Sequence, residues 1–213
     1  MWEFLTQRWA DVAYRAFQHT SLVVQSVALA TVVALLLAVL VVGVGRLRGV
    51  ANTVSAIGLT IPSFALLGLV IPLVGIGTTP SIVIVTFYAT LPILRNAVVG
   101  LDGVDDALLE SARGMGMSPL ASLLRVRLPL AWPVIVTGLR VSTQMSMGVA
   151  AIAAYALGPG LGGYIYTGLS QIGGANALNY ALVGTVGVVL LALVLDGLLV
   201  VLARLTTSRG IRA

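Results

Sequence analysis

The sequence is poor in charge and lacks two residue types that many functional sites require. Only 9% of its 213 residues are charged and 59% are hydrophobic, whereas soluble domains carry about 25% charged residues. With a mean hydropathy of +1.07, such a chain belongs in lipid. It has no cysteine, which excludes disulfides and thiolate metal sites, and its single histidine, His19, excludes a multi-histidine metal site.

Lysine is the second missing residue type, because all 12 basic residues are arginine. A phosphate-binding P-loop requires a lysine, so this chain cannot be a P-loop ATPase by itself, and no catalytic residue is assigned. The net charge of +5 is explained by arginines at the ends of apolar segments. We therefore expect membrane lipid, and not nucleic acid, around the chain.

Five segments are apolar and long enough to cross a bilayer, for which a helix needs about 20 residues. The second of them contains Pro62 and Pro72. We expect an all-α integral membrane protein with one transmembrane domain over residues 21–204. The expected spans are 21–44, 53–74, 81–99, 130–157 and 179–203, with a tail over 205–213.

The N-terminal segment, residues 1–20, has apolar residues at helical spacing and lacks the leading basic region and small-residue cleavage site of a signal peptide. We expect a separate amphipathic helix on the outer membrane surface, with its tryptophans among the headgroups. Asp11 and Arg15, four residues apart, are expected to form a weak ion pair. The apolar positions of this helix are Trp2, Leu5, Trp9, Val12 and Ala16.

The arginines set the expected orientation, since cytoplasmic loops of membrane proteins are enriched in basic residues. Arginines follow the first, third and fifth spans, whereas residues 76–79 and 158–174 on the other side contain none. This places the N-terminus outside and the C-terminus in the cytoplasm, with Arg8 and Arg15 as exceptions. The arginines assigned to the cytoplasm are Arg46, Arg48, Arg113, Arg125, Arg127, Arg204, Arg209 and Arg212.

The polar stretch over residues 101–128 is the most informative part of the sequence. Asp105 or Asp106 is expected to cap a first short helix, and Ser118 a second one that has proline at its first position. Glycines between the two end or bend the first helix, and Pro129 starts the return into the membrane. Such a compact segment fits a groove on a soluble partner, although spacing alone leaves an ordinary cytoplasmic loop as the alternative.

Two groups of residues in this stretch have a distinctive spacing. Glu110-Ser111-Ala112 is followed by Gly116 and then, ten residues later, by Val126-Arg127-Leu128-Pro129. This resembles the EAA motif of ABC-importer permeases, E-A-A-x(3)-G-x(9)-I-x-L-P, with Ser111 replacing an alanine and Val126 the isoleucine. The resemblance implies that residues 101–128 couple the chain to an ATPase. The implicated residues are Asp105, Glu110, Ser111, Ala112, Gly116, Val126, Leu128 and Pro129.

The resemblance extends from about His19 to Ile211. Several segments look like the osmoprotectant branch of these permeases, which takes glycine betaine, carnitine, choline or proline, and only Pro159 departs from its glycine-rich outer segment. These segments are 61–68, 91–96, 103–105, 108–117 and 158–162.

Membership of this branch implies the remaining features of the system. The fold would be MetI-like, in the cytoplasmic (inner) membrane, with a second permease, identical or related, completing the pathway. Two ABC ATPase subunits would bind ATP and Mg, and an extracytoplasmic solute-binding protein would deliver the solute. The chain itself would hold no cofactor or metal and would not be an enzyme.

Solute selection is expected to occur in the binding protein. Quaternary ammonium ligands are held by aromatic cages, but only 6% of the residues are aromatic and they are scattered along the chain. Alternatives to an osmoprotectant permease are an ABC permease for methionine or an oxyanion, an ATP-independent channel or carrier, and a purely structural membrane subunit.

Two charged residues fall within the expected spans, Arg140 in the fourth and Asp196 in the fifth. Charges in the membrane are costly unless paired, and the two lie at similar depths, so they are expected either to form an ion pair or to face a watery vestibule. Polar residues in the spans are expected to line a pathway or to bond between helices. The pathway candidates are Ser63, Tyr88, Ser142 and Gln144.

Single-cysteine labelling tests the expected orientation cleanly, because the native chain has no cysteine. A cysteine replacing Thr78 is expected to react with an impermeant maleimide added to intact cells. One replacing Ser208 is expected to react only after the cells are opened. Labelling of Ser208→Cys but not Thr78→Cys from outside would reverse the orientation.

Overall fold

The computed structural model describes residues 1–207, and every regular element in that range is a helix. Within residues 1–207, four helices are long and apolar enough to span a membrane, and a bent pair makes five if it is taken as one span. Ser208, Arg209 and Arg212 of the expected tail lie outside the described residues. The helices are α1 Trp2–Gly43, α2 Leu47–Thr60, α3 Ser63–Val74, α4 Thr78–Asp102, α5 Asp106–Gly114, α6 Pro119–Ser122, a π turn Leu123–Arg127, α7 Leu128–Ile152, a 3-10 turn Ala153–Ala156, α8 Gly162–Ser170 and α9 Ala177–Thr206.

Helix α1 is uninterrupted over 42 residues, so the expected separate helix at the N-terminus is wrong. Near the expected boundary, the Thr20 hydroxyl donates a hydrogen bond to the Ala16 carbonyl at 2.9 Å. Thr20 thereby continues the helix instead of capping a new one. Trp2 and Trp9 are exposed on the surface of the chain, whereas Phe4 of the same helix is buried. The 42 residues of α1 extend about 63 Å, roughly twice the thickness of the hydrocarbon core.

The second expected span, residues 53–74, is not one continuous helix. Helices α2 and α3 meet at 94°, and the break falls at Ile61, the residue before Pro62. A proline disfavours the α conformation of the residue before it, and Ile61 is extended, with φ −66° and ψ 124°. Pro72, by contrast, stays within α3. The carbonyl left free at Ile61 accepts a hydrogen bond from the Tyr88 hydroxyl of α4.

The bent pair nevertheless connects the two ends of α4. At one end, Arg48 of α2 pairs with Asp102 at 2.9 Å. At the other end, the N–H of Gly77, between α3 and α4, donates to the carbonyl of Ala156 at 2.6 Å. The 25 residues of α4 extend about 37 Å, enough to cross the bilayer, so the pair crosses it as well. Tyr88 lies near the middle of α4, which puts the break near the bilayer centre.

Helix α4 is the centre of the bundle and packs closely against α1 and α7. A Cβ atom on Gly138 of α7 would stand 2.6 Å from the Cβ of Asn96 and 3.0 Å from the carbonyl oxygen of Pro92. A Cβ atom on Gly100 of α4 would stand 3.0 Å from the carbonyl oxygen of Ala131. Glycines at these positions let the two backbones approach, which is a main source of helix association in lipid.

Helix α7 begins at Leu128, next to Pro129, where the return into the membrane is expected, and it continues from α6 without a break. The helical path covers Pro119–Ala156, 38 residues in all. Within the π turn, the N–H of Leu128 bonds to the carbonyl of Leu123, five residues earlier. Arg127 Nε donates to a carbonyl at the end of α4 at 2.6 Å. Pro129 falls in the first turn of α7, where a missing N–H is tolerated.

The glycine-rich segment over residues 158–174, expected to be an outer loop, contains α8. A Cβ atom on Gly162 would stand 2.2 Å from the carbonyl oxygen of Ala151 in α7. One on Gly168 would stand 2.6 Å from the backbone nitrogen of Ala181 in α9. The glycines therefore serve close packing of α8 on its neighbours.

Candidate functional site

The polar stretch over residues 101–128 contains two short helices joined by a glycine turn. Asp105 Oδ1 accepts a hydrogen bond from the N–H of Ala107 at 2.8 Å and caps α5. Ser118 Oγ accepts one from the N–H of Ala121 at 3.2 Å and caps α6. Each cap satisfies a backbone donor that a helix start leaves free. Both expected capping interactions are present.

Gly116 forms the turn that ends α5. Its φ of +80° lies in the left-handed region, which glycine adopts without steric cost. The Gly116 N–H bonds to the carbonyl of Arg113 at 2.9 Å, and the Met117 N–H to that of Ala112 at 3.1 Å. This pair of bonds is a Schellman motif. A Cβ on Gly116 would meet no described atom within 4 Å, so the glycine is required for its backbone conformation and not for space.

Residues 105–124, called the knob below, have one packed and one open surface. Leu109 and Ala112 are buried where α5 packs against α6 and the π turn, whereas Glu110 and Ser111 are exposed. Large apolar side chains are exposed beside these polar ones, and exposed apolar patches mark interaction sites. The exposed apolar side chains of the knob are Leu108, Met115, Leu120 and Leu124.

The last residues of the EAA-like pattern lie on the helix that leads into the membrane. Val126 and Leu128 are half-buried, Leu128 against the main core, and Pro129 is exposed. Arg127 ties the same turn to the end of α4. The knob is therefore connected both to α4 and to α7, which pack against each other.

Arg140 and Asp196 meet in the half of the bundle nearest the knob. The Nε and Nη2 atoms of Arg140 donate to the two carboxylate oxygens of Asp196 at 2.8 and 2.9 Å, a bidentate arrangement. Gln144, one turn along α7, also interacts with this carboxylate. Arg140 lies two residues after Gly138, whose backbone approaches Asn96 of α4. At about 1.5 Å per residue, this places the ion pair about 12 Å from the end of α4 that adjoins the knob.

Two of the expected pathway residues form hydrogen bonds between helices. Ser142 is fully buried, and its hydroxyl donates to the carbonyl of Ala89 in α4 at 2.7 Å. Tyr88 is buried and donates to the break between α2 and α3. Bonds of this kind hold helices together, and neither side chain reaches the surface of the chain. Ser63 is partly exposed and Gln144 exposed, so these two remain pathway candidates.

Within residues 1–207, no group of three or more histidine, cysteine, aspartate or glutamate side chains is arranged to hold a metal ion. The single histidine, His19, is fully buried, with Nε2 3.1 Å from the carbonyl oxygen of Met147. A Cβ on Gly160 would stand 2.7 Å from the other ring nitrogen. His19 is therefore a packing residue between α1, α7 and the turn before α8.

The aromatic residues are scattered along the sequence but gather in space. One cluster joins Phe4 of α1, Tyr164 of α8 and Tyr180 of α9, with ring centroids 4.9 to 6.3 Å apart. The guanidinium of Arg8 lies over the rings of Phe4 and Tyr180, at 5.5 and 5.1 Å. We call these residues the N-terminal cluster.

An ion pair extends the N-terminal cluster. Arg15 Nε lies 3.0 Å from Asp11 Oδ2, the pair expected from the spacing, and the Tyr164 hydroxyl donates to the same oxygen at 2.7 Å. Burial, and after it the hydrogen bond to Asp11, raises the pKa of Tyr164 to about 12. The hydroxyl therefore stays protonated at physiological pH, and the network fastens α1 to α8.

A second aromatic group stands on the surface. Phe64 of α3 and Tyr155 of the 3-10 turn have ring centroids 5.1 Å apart at 89°, and Tyr155 and Tyr166 of α8 have centroids 4.9 Å apart at 77°. We call these three residues the exposed aromatic trio. The three residues meet only in the tertiary fold, so no local sequence pattern predicts their contact.

Known proteins resemble this chain in sequence and in fold. The family described as "Binding-protein-dependent transport system inner membrane component" matches residues 20–208. The choline transport system permease protein OpuBB of Bacillus subtilis is 38% identical, over 99% of this chain and 95% of that protein. The osmoprotectant import permease protein OsmW of Salmonella typhimurium is 39% identical, over 94% of each.

Among solved structures, the chain is similar to an inward-facing form of the MetNI methionine ABC transporter. The TM-score is 0.79 at 24% identity, covering 92% of this chain and 96% of that one. This likeness confirms the expected MetI-like helical fold.

Breaking one side of the Arg140–Asp196 pair should cost more than removing both charges. A lone charge deep in a bilayer costs roughly 2.5–3.5 kcal/mol on insertion scales, and removing one partner strands the other. We expect Arg140→Gln and Asp196→Asn each to lower folded yield in mild detergent, and the double variant or the swapped pair, Arg140→Asp with Asp196→Arg, to recover part of it.

The surface pair of Arg48 and Asp102, 2.9 Å apart, provides the matched control. Exposed ion pairs contribute only about 0–1 kcal/mol, so Asp102→Asn should change yield little. Strictly additive losses for Arg140→Gln and Asp196→Asn in the double-mutant cycle would contradict a coupled pair.

Proposed function

We propose a solute and an assembly for this chain on the premise that it belongs to the family of binding-protein-dependent transport system inner membrane components. As such it is a multi-pass permease subunit of an ABC importer, and the ATPase activity lies in a partner chain. The solute is a small osmoprotectant such as glycine betaine, choline, carnitine or proline. The observation that carries this proposal is the similarity, over nearly the whole chain, to permeases named for choline and for osmoprotectants.

The knob is the docking element for the ATPase, and two ATPase subunits, which bind ATP and Mg, each receive one knob. Three features support this assignment. The two helices of the knob are capped by Asp105 and Ser118. The turn between them is fixed by Gly116, and apolar side chains are exposed beside Glu110. A rigid, partly apolar projection fits a groove and transmits force through it.

A second permease, identical or related, completes the pathway. The break at Ile61 lies near the bilayer centre, and Pro62 beside it is exposed on the chain. Irregular backbone at this depth is tolerated only when it is buried in protein or lines a water-filled cavity. This side of the chain therefore faces the partner permease or the pathway between them.

The knob lies in the cytoplasm, and an extracytoplasmic binding protein delivers solute on the opposite side. The arginines support this orientation, because they concentrate at the knob end of the bundle. They are Arg46, Arg48, Arg113, Arg125 and Arg127. The N-terminus is outside in this arrangement and α8 lies on the side that receives solute.

Uptake by reconstituted complexes tests the proposed solute. Proteoliposomes containing the chain, its ATPase and its binding protein are offered labelled choline, glycine betaine, carnitine, proline, methionine and molybdate. We expect uptake of one or more of the first four, and only with ATP inside and binding protein outside. Uptake of methionine or molybdate alone would assign another branch, and uptake without the ATPase would indicate a channel or carrier.

Gly116 and Gly114 form a matched pair for testing the knob. Gly116→Val forces a β-branched residue into the left-handed region, which costs roughly 1–2 kcal/mol. Gly114 has ordinary backbone angles, and a Cβ added there would meet no described atom within 4 Å. We expect Gly116→Val to weaken ATPase co-purification and uptake several-fold, Gly116→Asn to lose less, and Gly114→Ala to behave like the native chain. Equal effects of Gly116→Val and Gly114→Ala would remove the turn from the coupling mechanism.

A further inference from the structure

The exposed aromatic trio is not part of the hydrophobic core. Phe64 is 58% exposed, Tyr155 45% and Tyr166 42%, although each ring contacts another ring of the trio. By contrast, Phe4, Tyr88 and Tyr164 are at most 6% exposed. The trio therefore presents aromatic surface outward from the chain, where lipid, a second permease or a solute can contact it.

The trio stands beside backbone that lipid cannot cover. Phe64 is the second residue of α3, immediately after the break at Ile61 and Pro62. Among the described residues no side chain caps the start of α3, so the first N–H groups of this helix lack intrahelical partners. Polar backbone at this depth must meet protein or water. The face that carries Phe64 therefore borders the pathway or the second permease.

The rings are held by well-fixed backbone. The 3-10 turn that carries Tyr155 is tied to the start of α4, because the carbonyl of Ala156 accepts the N–H of Gly77 at 2.6 Å. Helix α8, which carries Tyr166, packs closely on α7 through Gly162. The trio is therefore positioned by the bundle and not by a free loop.

The geometry suits a cation. The rings of Phe64 and Tyr155, and those of Tyr155 and Tyr166, meet edge to face at 89° and 77°, so Tyr155 joins the other two rings while all three keep part of their surface exposed. The negative face of an aromatic ring attracts cations within about 6 Å, and several such faces together recognise quaternary ammonium groups.

In the N-terminal cluster, a similar group of rings contacts cations from the chain itself. There Arg8 supplies the cation, over Phe4 and Tyr180 at 5.5 and 5.1 Å, and Arg15 lies over Tyr164 at 5.3 Å. Among the described residues, no arginine lies over a ring of the exposed trio. The trio therefore has open π-faces for a cation that comes from outside the chain.

We propose that Phe64, Tyr155 and Tyr166 form a low-affinity contact site for the quaternary ammonium group of a solute such as choline or glycine betaine on its way through the pathway. This inference rests on the proposed function. Exposed cation–π contacts are individually weak, and weakness suits a site that must release the solute again after each transfer.

Direct ligand observation tests the site. The permease–ATPase complex is placed in lipid nanodiscs without binding protein, so that any contact belongs to the membrane complex, and saturation-transfer NMR measures choline and 3,3-dimethylbutanol. The second compound has the same shape, with carbon in place of the charged nitrogen. We expect binding of choline but not of its neutral isostere.

The triple variant Phe64→Leu, Tyr155→Leu, Tyr166→Leu should weaken the apparent affinity for choline by about 10-fold or more. Tyr155→Phe with Tyr166→Phe keeps the rings and should retain binding. Tyr14→Leu with Phe17→Leu removes two exposed rings of α1 outside the trio and should also leave binding unchanged. Co-purification of the ATPase verifies that each variant assembles.

The outcomes separate this inference from the proposed function. Equal choline signals for the native complex and an assembled triple variant would overturn the site, as would equal signals for choline and the isostere. If the triple variant does not assemble, loss of choline binding in the Tyr155→Phe, Tyr166→Phe variant would also overturn it. Native uptake of choline in proteoliposomes alongside any of these results would leave the proposed function standing. Ring-dependent choline binding without uptake of any osmoprotectant would keep the site and remove the function.

Discussion

A bilayer offers no water to backbone polar groups, and the fold of this permease depends on how those groups are satisfied. Helix α4 contributes donors and acceptors at several points where hydrogen bonds within the helices do not satisfy these groups. Its Tyr88 hydroxyl bonds to the carbonyl freed at the α2–α3 break. Its own carbonyls at Ala89 and at its last turn accept bonds from Ser142 and Arg127 of the neighbouring helical path. These bonds, together with glycine contacts, fix α4 as the centre around which the other spans are arranged.

The features that the sequence predicted correctly are those with a local cause or a large energetic penalty. The caps at Asp105 and Ser118 follow from residues adjacent to the helices they cap. The meeting of Arg140 and Asp196 follows from two expensive charges at similar depths. In both cases the information lies in a few residues or in a simple length calculation, and no knowledge of the remaining packing is required.

Features that depend on the tertiary environment could not be read from the sequence. Thr20 has the side chain of a helix cap, but its hydroxyl bonds backwards and α1 continues. The glycines of residues 158–174 are typical of a loop, yet at Gly162 and Gly168 they permit α8 to pack on its neighbours. The break at Ile61 is an exception, because Pro62 gives it a local cause that hydropathy alone does not register. The contacts of Phe64, Tyr155 and Tyr166, which lie on three separate elements, correspond to no periodic pattern in the sequence.

Joining α6, the π turn and α7 into one helical path has a mechanical consequence. At about 1.5 Å per residue, the 38 residues of Pro119–Ala156 make a lever about 57 Å long. One end of this lever adjoins the turn fixed by Gly116, and the other end carries Tyr155. A tilt of about 10° pivoting at the knob end would displace the far end by about 10 Å, from the same length estimate. A small rotation imposed at one membrane surface would therefore produce a large displacement at the other.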